Sequence, residues 1–398
     1  MPTVRLADIV RRHGKPYREK HALPLHQHRL LRAIENCRTA ALGGHASRCS
    51  QCGETRVWYN SCRNRHCPQC QSMARAQWLE QRKLELLPVN YFHVVFTVPE
   101  QIAAIALQNK KTVYGILFRA TAETLLTIAG DPKHLGVNIG YFAVLHTWGQ
   151  NLLHHPHLHC VIPGGGIPPG EQPCWLHSKP NFFLPVRVLS ALFRRVFLAM
   201  LRAAFKKGDL QFFSSLETLR QPNAFYRYLD PLEKLDWVVY SKKPFGGPEH
   251  VLEYLGRYTH RAAISNQRLL SDKDGKVSFL WKDYREKNKK KKKQKMMTLA
   301  ADEFLRRFLL HSLPRGFQRI RHYGLFANPI RKQSLALCRE LLAVVAPVQP
   351  DPVPLSLEQR YELLTGNRLL QCPVCKTLTM VGIEVFAPRY CSPLEDST

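Results

Sequence analysis

The sequence predicts an α+β protein, an antiparallel sheet carrying helices on one face, preceded by a small metal-stabilised module. The strand-like run NYFHVVFTVP (90–99) leads into a long helical stretch over 100–129. Two further strand-like runs follow, NIGYFAVLHTWG (138–149) and HLHCVI (157–162), whose short connection makes them an antiparallel hairpin. Ahead of the sheet, Cys49-x2-Cys52 and Cys67-x2-Cys70 stand fourteen residues apart around the strand-like TRVWYN, the layout of a zinc ribbon. Over 398 residues, 58 Lys and Arg face 30 Asp and Glu, a formal charge of +28 at an ordinary 45% hydrophobic content. The length allows two or three domains, and the charge points to a polyanionic partner.

No apolar stretch approaches the ~20 residues that cross a bilayer, and MPTVRLADIVRRHGKPYREK lacks the apolar core of a signal peptide. The expectation is a cytoplasmic protein, without a membrane partner, whose twelve cysteines are thiols or metal ligands.

Residues 1–40 read as basic and helical. In GGHASRCSQCGETRVWYNSCRNRHCPQCQ, Cys49, Cys52, Cys67 and Cys70 are the predicted structural zinc ligands, replacing a core so short a segment cannot build. Cys62, His66 and His45 are alternates, able to complete a different set or a second site. A helix over 72–87 leads into the first strand of the sheet. Residues 185–207 give an amphipathic helix whose basic face reads as solvated; LDWVVYSKKPFGGP reads as a strand and PEHVLEYLGRYTHRAAIS as a helix with Gly256 as its weak point. NQRLLSDKDGKVSFLWKDY is a hairpin turning at DKDG, TLAADEFLRRFLLHSL a capped helix, and GFQRIRHYG a basic strand. The unbroken run Lys289, Lys290, Lys291, Lys292, Lys293 is either a solvated or a phosphate-contacting loop. APVQPDPVPL (346–355) is a linker, and beyond it Cys372-x2-Cys375 and Cys391 outline an incomplete second metal site.

Two constellations carry chemistry. On a strand, His157 and His159 leave the same face while Leu158 points into the core, and two adjacent imidazoles suit a divalent metal. His155 shares their side, but Pro156 predicts that the regular strand begins after it. Gln150, at the end of the preceding strand, is the favoured third ligand, with His146 and His154 as fallbacks. Tyr254 and Tyr258, four apart, share one helix face; Arg257, His260 and Arg261 make that helix fit to receive phosphate.

HPHLHC followed by GGG, and EYLGRYTHRAAIS about a hundred residues later, resemble the HUH motif and two-tyrosine helix of rolling-circle transposases of the insertion-sequence ninety-one group. The similarity extends to SCRNRHCPQCQ and FLLHSLPRGFQRIRHYG, over residues 10–330. It implies an N-terminal helical and zinc-binding domain (1–85) and an HUH nuclease core with a helix-flanked antiparallel sheet (88–335); the linker and C-terminal tail (346–398) rest on the proline-rich stretch and gain little from the resemblance. It further implies that His157, His159 and Gln150 hold Mg²⁺ or Mn²⁺ and that Tyr254 and Tyr258 attack single-stranded DNA at transposon ends, which can be hairpins. A bacterial, nucleoid-associated protein with no small-molecule substrate would follow. The alternative readings are a replication initiator with the same chemistry and a zinc-ribbon DNA-binding protein without catalysis.

Overall fold

A computed structural model describes residues 4–242, 250–251, 256, 262–282, 294–343, 355–366 and 368–389. Helices α1 (Leu6–Lys20) and α2 (Leu25–Glu35) open the chain, followed by β1 (Gly44–Cys49), β2 (Thr55–Tyr59), α3 (Gln71–Lys83) and β3 (Tyr91–Thr97). The helical stretch expected over 100–129 is two helices, α4 (Glu100–Gln108) and α5 (Lys110–Gly130). They part at Asn109, whose amide side chain pairs with both backbone groups of Gln211 at 2.7 and 2.8 Å. The histidine hairpin is β4 (Gly140–Trp148) and β5 (His154–Pro163); the two-residue strands β6 (Gly165–Gly166) and β7 (Leu176–His177) pair just after it. Next come α6 (Val186–Lys206), α7 (Pro222–Lys234) and β8 (Val239–Lys242), then the meander β9 (Leu269–Lys273), β10 (Lys276–Lys282) and β11 (Gln294–Ala300). Asp274 and Gly275 take the positive φ that the predicted hairpin turn requires. The expected capped helix is α8 (Ala301–Leu310), but Thr298 to Ala300 belong to β11 and no side chain caps its start. The chain finishes with β12 (Ile320–Gly324), α9 (Arg331–Leu341), α10 (Leu357–Thr365) and β13 (Met380–Phe386).

The central sheet is antiparallel throughout, in the order β12-β4-β5-β3-β8. Helices cover both of its faces rather than the one expected. On one side Leu145, Leu158, Cys160, Ile162, Val94 and Phe96 pack with α4, α5, α6 and α7; on the other Phe142, Val144, Val161 and Tyr91 pack with Val251, Phe326, Leu335 and the α3 residues Trp78 and Leu79. This explains why β4 is buried almost from end to end and why its sequence is nearly continuously apolar. Among the described residues no helix is long and apolar enough to cross a membrane.

The hydrophobic cores run across the boundaries suggested by chain order. Leu6, Ile9, Val10, Leu31 and Ile34 of α1 and α2 share a core with Ile264, Phe279, Phe304, Leu305 and Phe308. Asp272, 3% exposed at its side chain, accepts from Arg12 at 2.8 Å and bonds His13 at 2.8 Å, fixing α1 against β9. β1 lies between β2 and β13, so the N-terminal and C-terminal segments share one three-stranded sheet. Glu80 of α3 also holds Arg360 of α10 at 2.9 Å.

Because Arg12 is largely exposed and can be rehydrated, Asp272→Ala should cost about 1–3 kcal/mol through the lost charge-assisted bonds. Denaturant unfolding should show a lower midpoint at unchanged slope; an unchanged midpoint would mean that the α1–β9 junction is held by apolar packing alone.

Candidate functional site

The β4–β5 register builds the site. His157 pairs with His146 and with Thr97, and His159 pairs with Val144 and Val95. Period-two alternation then puts the imidazoles of His146, His157 and His159 on one face, and a ligating nitrogen of each lies within 4.8 Å of the others. Trp148 pairs with His154, so two residues, His155 and Pro156, stand opposite Thr147 in a bulge. The strand therefore begins at His154, earlier than expected. Pro156 is tolerated because the pairing with β3 ends at Thr97–His157.

Gln150 is not at the position opposite the pair. It lies in the turn beyond Trp148, its backbone carbonyl accepting from Arg268, and the place expected for it is taken by His146. The turn is held from the second core. Leu152 is fully buried at positive φ, its carbonyl meets His311 Nε2 at 3.0 Å, and Arg307 donates to the Asn151 carbonyl at 3.1 Å. His154 turns away from the cluster, with Nε2 at 2.7 Å from the Tyr114 hydroxyl and Nδ1 at 3.1 Å from the Ala103 carbonyl.

Hydrogen bonds set the tautomers. A carbonyl can only accept, so His157 Nδ1, 2.6 Å from the His155 carbonyl, carries the proton and leaves Nε2 as an electron-pair donor. His159 Nδ1 is 2.8 Å from Nε2 of His93, a buried residue of β3 whose ring stacks on it at 5.0 Å. Desolvation lowers His157 to about 4 and His93 to about 3. Both are neutral near pH 7, the state in which imidazole ligates metal.

Tyr254, Tyr258, Arg257, His260, Arg261 and Lys289 to Lys293 lie outside the described residues. His250, Val251 and Gly256 are described and helical. Val251 is buried in the core on the sheet face that bears the three imidazoles, and a Cβ on Gly256 would come within 2.9 Å of Leu79 Cδ1 on α3. The weak point of the helix is thus a close approach to α3. Gly164, Gly165 and Gly166 serve the backbone in the same way: a Cβ on Gly165 would lie 2.4 Å from the Leu176 carbonyl, and one on Gly166 2.3 Å from the Asn138 carbonyl. A cleft of about 810 Å³ beside α6 is lined by Arg187, Arg194, Arg195 and Arg202, on the opposite side of the sheet from the histidines.

The cysteines do not form the quartet expected from spacing. Cys67 and Cys70 gather with Cys62 and Cys37, whereas Cys49 and Cys52 gather with Cys372 and Cys375, each set with its sulfurs within 4.8 Å. Sulfur separations of 3.4 Å (Cys37–Cys70), 3.5 Å (Cys62–Cys70) and 3.7 Å (Cys37–Cys67) approach the ~3.8 Å edge of a tetrahedron with ~2.3 Å zinc–sulfur bonds. His66 stays outside, receiving the Leu313 N–H at 3.4 Å, and His45 stacks on Trp58 at 5.5 Å. Cys37 was missed because it stands alone at the end of α2; the odd cysteine left in the 49–70 cluster was the signal that another had to join it. Cys391 is outside the described residues.

Residues 9–98 match a family described as "Transposase zinc-binding domain", and residues 140–334 one described as "Putative transposase". The chain is 62% identical over 384 residues to "Putative transposase y4qJ" of Sinorhizobium fredii, covering 96% of this chain and 95% of that one. It is 26% identical over 383 residues to "Transposase for insertion sequence element IS801" of Pseudomonas savastanoi pv. phaseolicola, covering 90% and 87% respectively. No solved structure matches it.

Two outcomes follow from this geometry. Cys37→Ser should lower the zinc content of the purified chain, whereas His45→Ala should leave it unchanged, as read by elemental mass spectrometry. Burial also lowers His154 and His311 to about 3. These groups bind protons in the unfolded chain that the folded one refuses. Stability is therefore retained above their ordinary value near 6.5 and lost as pH falls toward 3, by up to ~1.4 kcal/mol per pH unit for each. Melting temperatures recorded from pH 7 to 4.5 should fall, and His311→Gln should flatten the slope.

Proposed function

This chain belongs to the family of insertion-sequence transposases that carry the transposase zinc-binding domain, and from that premise we propose that it works as an HUH endonuclease, cleaving and rejoining single-stranded DNA at transposon ends through a 5′-phosphotyrosine. One observation carries the reading. Three imidazoles converge on the sheet face that also buries Val251 and seats α3, the helix against which Gly256 packs between Tyr254 and Tyr258 in sequence.

His146, His157 and His159 would hold Mg²⁺ or Mn²⁺, with His146 in the role first expected of Gln150. When bound, the cation neutralises charge growing on the non-bridging phosphate oxygens and assists departure of the 3′ oxygen. The protein's own part is to orient and to attack. The His155 carbonyl fixes the ring of His157, and with His93 as acceptor of the Nδ1 proton of His159, Nε2 would be the ligating atom. The phenol of Tyr258 or Tyr254 attacks phosphorus in line and gives up its proton to solvent or a nearby base. The bond from phosphorus to the 3′ oxygen breaks, and that oxygen takes a proton to become a free hydroxyl. The phosphodiester is exchanged and not hydrolysed, so the 3′ hydroxyl of another strand can reverse the step without ATP. Two tyrosines allow donor and target to be held together. Arg257, His260, Arg261 and Lys289 to Lys293 supply phosphate contacts, and a flexible single strand reaches the site more readily than a stacked duplex.

The test is a nicking reaction on single-stranded end DNA with Mg²⁺ or Mn²⁺, read by denaturing gels and by mass spectrometry of the oligonucleotide–peptide adduct. The native chain should form the adduct on Tyr254 or Tyr258, and Tyr254→Phe with Tyr258→Phe should abolish it. His157→Ala and His146→Ala should lose cleavage and keep DNA binding, because basic contacts supply most of the affinity. His93→Ala should raise the metal concentration needed by roughly 10–100-fold. An adduct that survives the double phenylalanine variant, or full cleavage by His157→Ala, sinks the mechanism.

A further inference from the structure

We infer that Cys49, Cys52, Cys372 and Cys375 hold a second zinc ion, in a ribbon whose first half comes from the N-terminal region and whose second half is the C-terminal tail. The two halves are built alike. In each, the first cysteine donates its N–H to the carbonyl five residues on (Cys49 to Glu54, Cys372 to Thr377, both 2.8 Å). Its own carbonyl accepts from the N–H four residues on (Gly53 and Lys376, both 3.0 Å). That fourth residue takes a left-handed φ in both, 74° at Gly53 and 63° at Lys376. Such turns point two sulfurs out of a short loop toward one centre, and here they face each other.

The sulfurs are placed for a shared ion. Cys49 and Cys375 are 3.6 Å apart, as are Cys52 and Cys372, far beyond the ~2.05 Å of a disulfide and close to the ~3.8 Å edge of a zinc–thiolate tetrahedron. The hydroxyls of Thr379 and Thr377 stand 3.0 Å from Cys49 Sγ and 2.9 Å from Cys375 Sγ, able to donate to charged sulfur.

The surrounding sheet supplies the second argument. β2 exposes all five of its residues, and only the first residue of β13 is buried. The core beneath the three strands is Cys49, Cys372 and Met380, with Cys375 beside them. A three-stranded sheet with so little apolar cover does not stand by burial alone, and metal coordination is what holds modules of this kind.

Elemental analysis and native mass spectrometry of the full-length chain, purified without chelator, test the inference. Two zinc ions per chain are expected, falling to one in Cys372→Ser, in Cys375→Ser and in Cys37→Ser. One zinc in the native chain, or two retained in the Cys372→Ser and Cys375→Ser variants, overturns it. Should those variants fail to fold, cadmium-113 magnetic resonance of the exchanged native chain decides: two resonances, each with four-thiolate shifts, are expected, and a single one overturns the inference.

Discussion

The pairing register of β4 with β5 governs the rest of the molecule. A slip of one residue would turn His157 and His159 into the apolar core against α4 to α7 and Leu158 and Cys160 toward the face that now bears the histidines. The fold pins that register at several points. The bulge at His155 and Pro156 sets the offset that brings His146 opposite His157. The turn is anchored by burial of Leu152 in a different core and by hydrogen bonds from His311 and Arg307. On the far side, β3 contributes both the neighbouring pairs and His93, so the strand that flanks the histidines also orients one of them.

The zinc-binding region contributes more than stability. Cys70, a member of the first cysteine cluster, is the residue from which α3 starts. α3 carries Trp78 and Leu79 into the core on the histidine face and receives Gly256. The same helix holds α10 through Glu80 and Arg360. A change at the cysteine cluster is therefore one helix away from the contact between Leu79 and Gly256. Arg65 adds a second tether, donating to the Phe317 carbonyl at 2.7 Å and the Pro314 carbonyl at 3.0 Å, just ahead of β12.

Local patterns made much of this legible in the sequence. Alternation in HLHCVI, the DKDG turn and the spacing of apolar residues in α6 each depend on neighbours a few positions away, and each describes the element found. What escaped was set by distant geometry. His146 competes with Gln150 only once the bulge is known, and a bulge of two residues has no signature beyond Pro156. The cysteine pairs looked like one ribbon because spacing along the chain was the only measure of proximity. The true partner of Cys49 and Cys52 stands more than 300 residues away, and Cys37 is separated from its set by a whole strand pair. The motif with Tyr254 and Tyr258 was read from local spacing alone, while the seat of Gly256 on α3 depends on a contact between residues 79 and 256.

The pairing of β1 with β13 ties the N-terminal strands to a segment synthesised much later. Once Cys49 leaves the ribosome, its strand partner Met380 is still 331 residues (380 − 49) from being made, roughly 17 to 66 s at ordinary elongation rates. Through that interval β1 and β2 form an unfinished edge, and a product cut short by a premature stop never acquires its third strand. The sheet is thereby completed by two segments far apart along the chain, the β1–β2 pair and β13.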